Sequence, residues 1–133
     1  MQLVAMRTEI IAQLEKLPGL ASVQPWAGDV EKVLGQPKAA RSAFVAPAGG
    51  RFLPMQTMPP GAPRCELLWD VILFLPAGAD AETLEAVVAP VAQGGLSGLR
   101  PTGGGILWPT DFELVSSTGL ANAYRITFEL TTT

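Results

Sequence analysis

The longest almost uninterrupted apolar run in the chain is CELLWDVILFL, from Cys65 to Leu75. Apolar side chains at both alternating sets of positions predict a strand that is covered on both faces. A Pro-Ala-Gly sequence ends the run at Pro76. We interpret it as the central strand of the core. At about 3.3 Å per residue it would span roughly 36 Å, which is long for a strand. We therefore expect its Cys65–Glu66 end to leave the core and meet a neighbour.

Apolar residues spaced three and four positions apart predict two amphipathic helices. The first runs from Leu3 to Leu17 and ends at a Pro-Gly pair. The second begins at Asp80, a plausible N-cap, and continues to about Gln93, with Pro90 kinking it or ending it early. Gly28 to Leu34 could add a short third helix.

Four further segments have the composition of strands. They are Ala21–Trp26, an edge candidate because of Pro25, then Ser42–Pro47, and finally Asp111–Ser117 and Ala123–Thr131 joined as a hairpin. A chain of 133 residues suits one domain. We predict a single α+β domain over residues 1–133, with a mixed or antiparallel sheet of about four to five strands and two main helices packed on it.

The segment Ala48–Arg64, AGGRFLPMQTMPPGAPR, is too rich in proline and glycine for a helix or a central strand. Its apolar side chains argue against a simple solvated linker. We favour a long Pro/Met-rich loop or arm that orders against a partner; a hairpin that merely extends the sheet and a floppy loop are the alternatives. The candidate interface residues are Arg51, Phe52, Met55, Met58, Arg64 and Glu66.

Charge is sparse and unevenly distributed. Charged residues make up 16% of the chain; residues 1–64 carry a net +3 and residues 65–133 a net −6. The bases are too scattered for a specific nucleic-acid site, and no apolar run is long enough to span a membrane. This polarity suits a basic region of one subunit meeting an acidic region of the next.

Little catalytic chemistry is available. The chain has no histidine, and its one cysteine, Cys65, lies in an apolar strand where a buried role is expected. The glycines at 103–105 are not followed by the Lys-Ser/Thr of a phosphate loop. We therefore predict no enzyme activity, no metal and no cofactor. A small-molecule or peptide-binding module using a groove near Trp26, Trp69 and Trp108 remains an alternative.

The order of the features resembles a known family. An opening helix ends in LPGL, followed by Pro-Trp-Ala-Gly-Asp at 25–29, a strand AFVAPAGG, the long apolar strand, a helix and a closing strand AYRITFEL. This resembles the tail terminator (tail completion) proteins of Mu-like bacteriophages, prophages and tail-derived particles. The long Met/Pro insertion at 52–63 departs from the family pattern.

The resemblance implies a structural virion assembly protein. Such a protein would form a ring, usually a hexamer, that caps the tail tube and the sheath where one exists, ends tail polymerisation and offers the surface for joining the head. The implied partners are further copies of the chain, the tail tube, possibly the sheath, and a head–tail connector protein. The implied location is the host bacterial cytoplasm during assembly and then the virion tail. Another neck or connector subunit is the alternative within this class.

Overall fold

The computed structural model describes residues 2–26, 41–54, 64–76, 81–117 and 121–132. Within these ranges the chain forms two α-helices, one π-helical segment and five strands. In chain order they are α1 (Leu3–Glu15), β1 (Ser22–Pro25), β2 (Ser42–Phe52), β3 (Cys65–Pro76), α2 (Ala81–Ala89), the π-helical segment Pro90–Gly95, β4 (Trp108–Ser117) and β5 (Ala121–Thr131). The short helix predicted at Gly28–Leu34 and the N-cap Asp80 lie outside the described residues.

The five strands form one sheet in the order β1-β2-β3-β5-β4. β1 runs parallel to β2, and the remaining neighbours are antiparallel. β3 is the middle strand, as its two-sided apolar pattern predicts. The mixed α+β architecture with two helices confirms the predicted fold class.

The expectation that β3 leaves the core at its first residues is wrong. Cys65 lies opposite Phe52 on β2, and its thiol side chain is 3% exposed. On the other side, the Thr132 backbone N–H donates to the Cys65 carbonyl oxygen over 2.8 Å, and the Cys65 N–H donates to Thr132 Oγ1 over 2.8 Å. β2 and β5 are each 11 residues long, so they pair with the first residues of β3 as well as with its middle.

The two faces of the sheet are covered differently. On one face, here the helix side, the side chains of β3 pack with Met6, Ile10 and Leu14 of α1 and with Val87 of α2. The other face, here the open face, has a smaller apolar cluster built from Phe44, Ile72, Phe74 and Ala123. Trp26 packs on that cluster. The apolar residues on both faces of β3 are therefore buried by two different clusters, and the two α-helices belong to the helix-side one.

β2 continues beyond its predicted end at Pro47. Residues 48–52, which the sequence places in an arm, extend the β2–β3 hairpin instead, and Phe52 is the last paired residue. A register shift between Pro47 and Gly49 accommodates the breakers, because Gly49 takes a φ of 104° that side chains rarely adopt. For this stretch the hairpin alternative is correct. Residues 55–63, including Met55 and Met58, lie outside the described residues.

The connection between α2 and β4 is hydrogen-bonded both to α1 and to the sheet. α2 ends at Ala89, and Pro90 begins the π-helical segment, as expected for a residue that cannot donate a backbone hydrogen bond. Further along, the carboxylate of Glu9 accepts hydrogen bonds from the backbone N–H and the Oγ1 of Thr102, both at 2.7 Å. The Gly105 N–H donates to the Thr131 carbonyl oxygen over 2.7 Å. These bonds hold the chain just before β4. The strand begins at Trp108, whereas the sequence predicted a start at Asp111.

Candidate assembly surfaces

The hairpin end of β2 and β3 brings together four of the six predicted interface residues. We call this surface the β2 edge and define it by Arg51, Phe52, Arg64 and Glu66. β1 pairs with β2 only over Ser42–Val45, so no described strand pairs with the outer side of β2 from Pro47 onward. These four residues stay a prediction as interface residues, and the structure places them at the end of a hairpin and not in an arm.

Arg51 and Glu66 form an ion pair across β2 and β3. Arg51 Nε lies 2.7 Å from Glu66 Oε2, and a second guanidinium nitrogen lies 3.3 Å from Glu66 Oε1. The hydrogen bond from Arg51 lowers the pKa of the Glu66 carboxyl below its ordinary value. The same bond raises the pKa of Arg51. The pair is open to solvent, so it orients both side chains more than it stabilises the fold.

Phe52 and Arg64 are the members of the β2 edge that lie outside this ion pair, and both are exposed. The Phe52 side chain is 64% exposed, which is unusual for a large aromatic residue in a strand. Arg64 donates through Nε to the Thr132 carbonyl oxygen at 3.5 Å, and no described acidic residue forms an ion pair with it. Beside the pair, Gly50, Leu68 and Glu129 line a shallow open depression of about 320 Å³. The surface thus offers one apolar ring and one unneutralised positive charge.

A second surface lies on β4, the outer strand on the side of the sheet away from β1 and β2. β4 is an outer strand whose residues are mostly exposed. We call this surface the β4 edge and define it by Trp108, Asp111, Phe112 and Leu114. The exposed fractions of Trp108, Phe112 and Leu114 are 62%, 50% and 53%. Sequence reasoning missed this surface because apolar residues in a predicted hairpin strand indicate a core position.

The strand register gives each β4 side chain its face. Phe112 lies opposite Ile126 and Leu114 opposite Tyr124, so both are on the helix side. The rings of Phe112 and Tyr124 stack with centroids 5.7 Å apart. Asp111 lies opposite Thr127, on the open face. The β4 edge therefore has Phe112 and Leu114 on the helix side, and Asp111 together with Trp108, which lies opposite Glu129, on the open face.

The open face near β4 also has paired polar residues. Arg125 forms an ion pair with Glu113 of β4, and the Thr127 hydroxyl donates to Asp70 Oδ1 over 2.7 Å. Asp70, the lone carboxylate within the apolar run, is thus a hydrogen-bonded residue of the sheet surface. No described basic residue forms an ion pair with Asp111. Among the described residues there is also no group of three acidic or cysteine side chains able to hold a metal ion.

The three tryptophans do not line a common groove. Trp69 is 1% exposed within the helix-side cluster, whereas Trp26 packs edge-on against Phe44 on the open face, with ring centroids 5.6 Å apart. Trp108 lies at the start of the β4 edge. Since Trp26 and Trp69 are on opposite faces of the sheet, the binding groove considered from the sequence is not formed. Within the described part of the chain, no helix is both long and apolar enough to cross a membrane.

Comparison with known proteins identifies the fold in solved structures. A chain of a structure described as "Virion of native gene transfer agent (GTA) particle" superimposes with a TM-score of 0.73 at 16% identity, covering 98% of this chain and 96% of that chain. A second solved protein, known only by an identifier, gives a TM-score of 0.57 at 13% identity over 98% of this chain and 92% of its own. No protein-family model and no curated protein matches the sequence. At these identities the likeness is one of fold.

Proposed function

We propose that this protein is a structural subunit of a phage-like particle and acts there as a tail terminator. In this role copies of the chain form a ring, a hexamer by analogy with the family that the sequence resembles. The ring caps the tail tube, ends its polymerisation and presents a surface to the head–tail connector. Assembly takes place in the bacterial cytoplasm, and the protein then remains in the particle's tail.

The observation that carries the proposal is the near full-length superposition on a chain of a gene transfer agent virion. A shared fold does not by itself transfer a function. The second support is independent of the superposition: the unpaired part of β2 and the outer strand β4 expose large apolar side chains, Phe52 on the first and Trp108, Phe112 and Leu114 on the second. Exposed apolar surface of this kind is typical of proteins that work in contact with other chains.

The test uses the particle whose genes encode this chain. Deleting the gene is expected to give tails of irregular, excess length without attached heads, and supplying the wild-type gene in trans should restore uniform tails. Electron microscopy of negatively stained lysates measures both properties. Purified protein carrying a gold label should bind at one end of isolated tail tubes. Tails of normal length in the deletion strain would refute the terminator role.

The same experiment separates the terminator from the neck or connector alternative. Loss of a connector subunit leaves tail length uniform and leaves the heads unattached, whereas loss of a terminator changes tail length. Label distributed along the whole tube, or absent from it, would contradict both roles. A control strain lacking a known head protein shows the length distribution of normal tails without heads.

A further inference from the structure

The β2 edge and the β4 edge have complementary properties. On the helix side, Phe52 of the β2 edge and Phe112 and Leu114 of the β4 edge are all at least half exposed. Each edge also has one internal ion pair, Arg51–Glu66 in one case and Glu113–Arg125 in the other. Beyond these pairs, the residues that define each edge include one further charge, and the two charges have opposite sign.

Those two charges are Arg64 on the β2 edge and Asp111 on the β4 edge. Neither forms an ion pair with any described residue, and both are exposed. Two β4 edges facing each other would bring two Asp111 carboxylates together, and two β2 edges would do the same with Arg64. Like charges at an interface disfavour association, whereas opposite charges favour it. The charge pattern thus favours contact between unlike edges.

The strand directions fit such a contact. β2 is antiparallel to β3, β3 to β5 and β5 to β4, so β2 and β4 run in opposite directions at the two sides of the sheet. A copy placed beside the first in the same orientation would present its β2 antiparallel to the first copy's β4. Within one subunit Phe52 is level with Cys65 of β3 and Phe112 with Val71, so the second copy must also be displaced along the strands by six residues, about 20 Å, for Phe52 to reach Phe112. This displacement also moves the second copy's β1, which pairs with β2 only at Ser42–Val45, away from the contact. A contact between two different surfaces of identical subunits is heterologous, and it generates rings when the rotation closes.

We propose that the β4 edge of one subunit binds the β2 edge of the next copy of the same chain, head to tail. Phe52 of one copy packs against Phe112 and Leu114 on the helix side, and Arg64 lies near Asp111. The inference rests on the proposed function in that it names the surfaces that build the ring. It makes its own claim, however, about which surfaces meet and in what order.

The test uses two variants of the full chain that each block one edge, Phe52→Asp and Leu114→Asp. A buried, unpaired carboxylate in the contact should weaken self-association by at least about tenfold. Each variant alone is therefore expected to be monomeric at a concentration where the wild type is oligomeric, by analytical ultracentrifugation. Val4→Asp is the matched control, because Val4 is 68% exposed on α1. It should assemble like the wild type, and thermal melts verify that all three variants fold.

Mixing the two blocked variants gives the decisive result. Phe52→Asp keeps an intact β4 edge and Leu114→Asp keeps an intact β2 edge, so an equimolar mixture should form one-to-one heterodimers and nothing larger. Three results would each overturn the proposal. They are a wild-type protein that stays monomeric, single variants that assemble as the wild type does, and a mixture that stays monomeric while the wild type assembles. Failure here leaves the tail-length experiment unaffected, and a negative tail-length result leaves the heterodimer test unaffected.

Discussion

Gly50 provides the sharpest test of how β2 and β3 pair. A methyl group at position 50 would lie 2.2 Å from the Glu66 carbonyl oxygen and 3.1 Å from the Leu67 Cα, both of them backbone atoms of β3. The distance to the Glu66 carbonyl oxygen is about 1 Å shorter than an ordinary van der Waals contact. The backbone of β3 is held on its other side by β5, so it cannot move away alone. Gly50→Ala must therefore separate the outer ends of the two strands.

The expected cost follows from this displacement. Inserting a methyl group where no space exists typically destabilises a protein by about 1–3 kcal/mol. Hydrogen bonds lost between the outer ends of the strands add about 0.5–1.5 kcal/mol each. We expect a loss of about 2–4 kcal/mol, which for a chain of this size lowers the Tm by roughly 8–15 °C.

Differential scanning calorimetry measures the Tm, and amide hydrogen exchange at residues 49–52 and 65–67 locates the change. Gly19→Ala is the matched control, because the added methyl group would lie 3.8 Å from its nearest neighbour, the Ala86 carbonyl oxygen, which is an ordinary contact distance. That variant should be neutral or slightly more stable. A Gly50→Ala protein that melts within about 1 °C of the wild type, with unchanged exchange, would show that the strands do not approach as described.

Two further predictions concern the ion pair and the core. Because Arg51 lowers the pKa of Glu66, the pair stabilises the fold above the ordinary carboxyl pKa of 4.5, and this contribution is lost as the pH falls through the folded-state pKa. Arg51→Met should move the Glu66 midpoint in a carboxyl NMR titration upward, and an unchanged midpoint would contradict the pairing. Ile10→Ala should cost about 2–5 kcal/mol in urea denaturation, since Ile10 is fully buried, while the exposed Val4→Ala should change stability by less than about 0.5 kcal/mol. Equal effects at the two positions would contradict the orientation of α1.

The sequence predicted the elements whose patterns are local and strong. The apolar run from Cys65 to Leu75 indicated a buried strand, and the spacing of three and four in α1 indicated the buried face that carries Ile10. Pro47 and Gly49 look like breakers, so β2 appeared to end there. In the structure they form an irregularity in a strand that continues, because the pairing with β3 outweighs the local preference.

The candidate surfaces show the same limit. Arg51 and Glu66 were predicted as interface residues, which stays a prediction, and their mutual ion pair depends on a register between two strands that the sequence does not state. Phe112 and Leu114 have the pattern of core residues. Their exposure follows from their position on an outer strand, and the buried α1 residues cluster with β2, β3 and β5 instead. Exposure of this kind depends on the arrangement of whole elements, so periodicity along one strand could not reveal it.

The two edges differ from ordinary free strand edges in a way that bears on how copies recognise each other. Pro47 and Pro109 lie in one row across the sheet, through Trp69 and Phe128, so each free edge has a proline at the same level. Proline cannot donate a ladder hydrogen bond, and β4 also has two register shifts. These features are typical of edges that avoid indiscriminate main-chain pairing. In the proposed contact between the edges, recognition would then depend on side chains rather than on main-chain hydrogen bonds, with Phe52 meeting Phe112 and Leu114. Side-chain recognition is selective for the complementary edge, which a subunit needs if it is to stay dispersed and still join its neighbours in a fixed order.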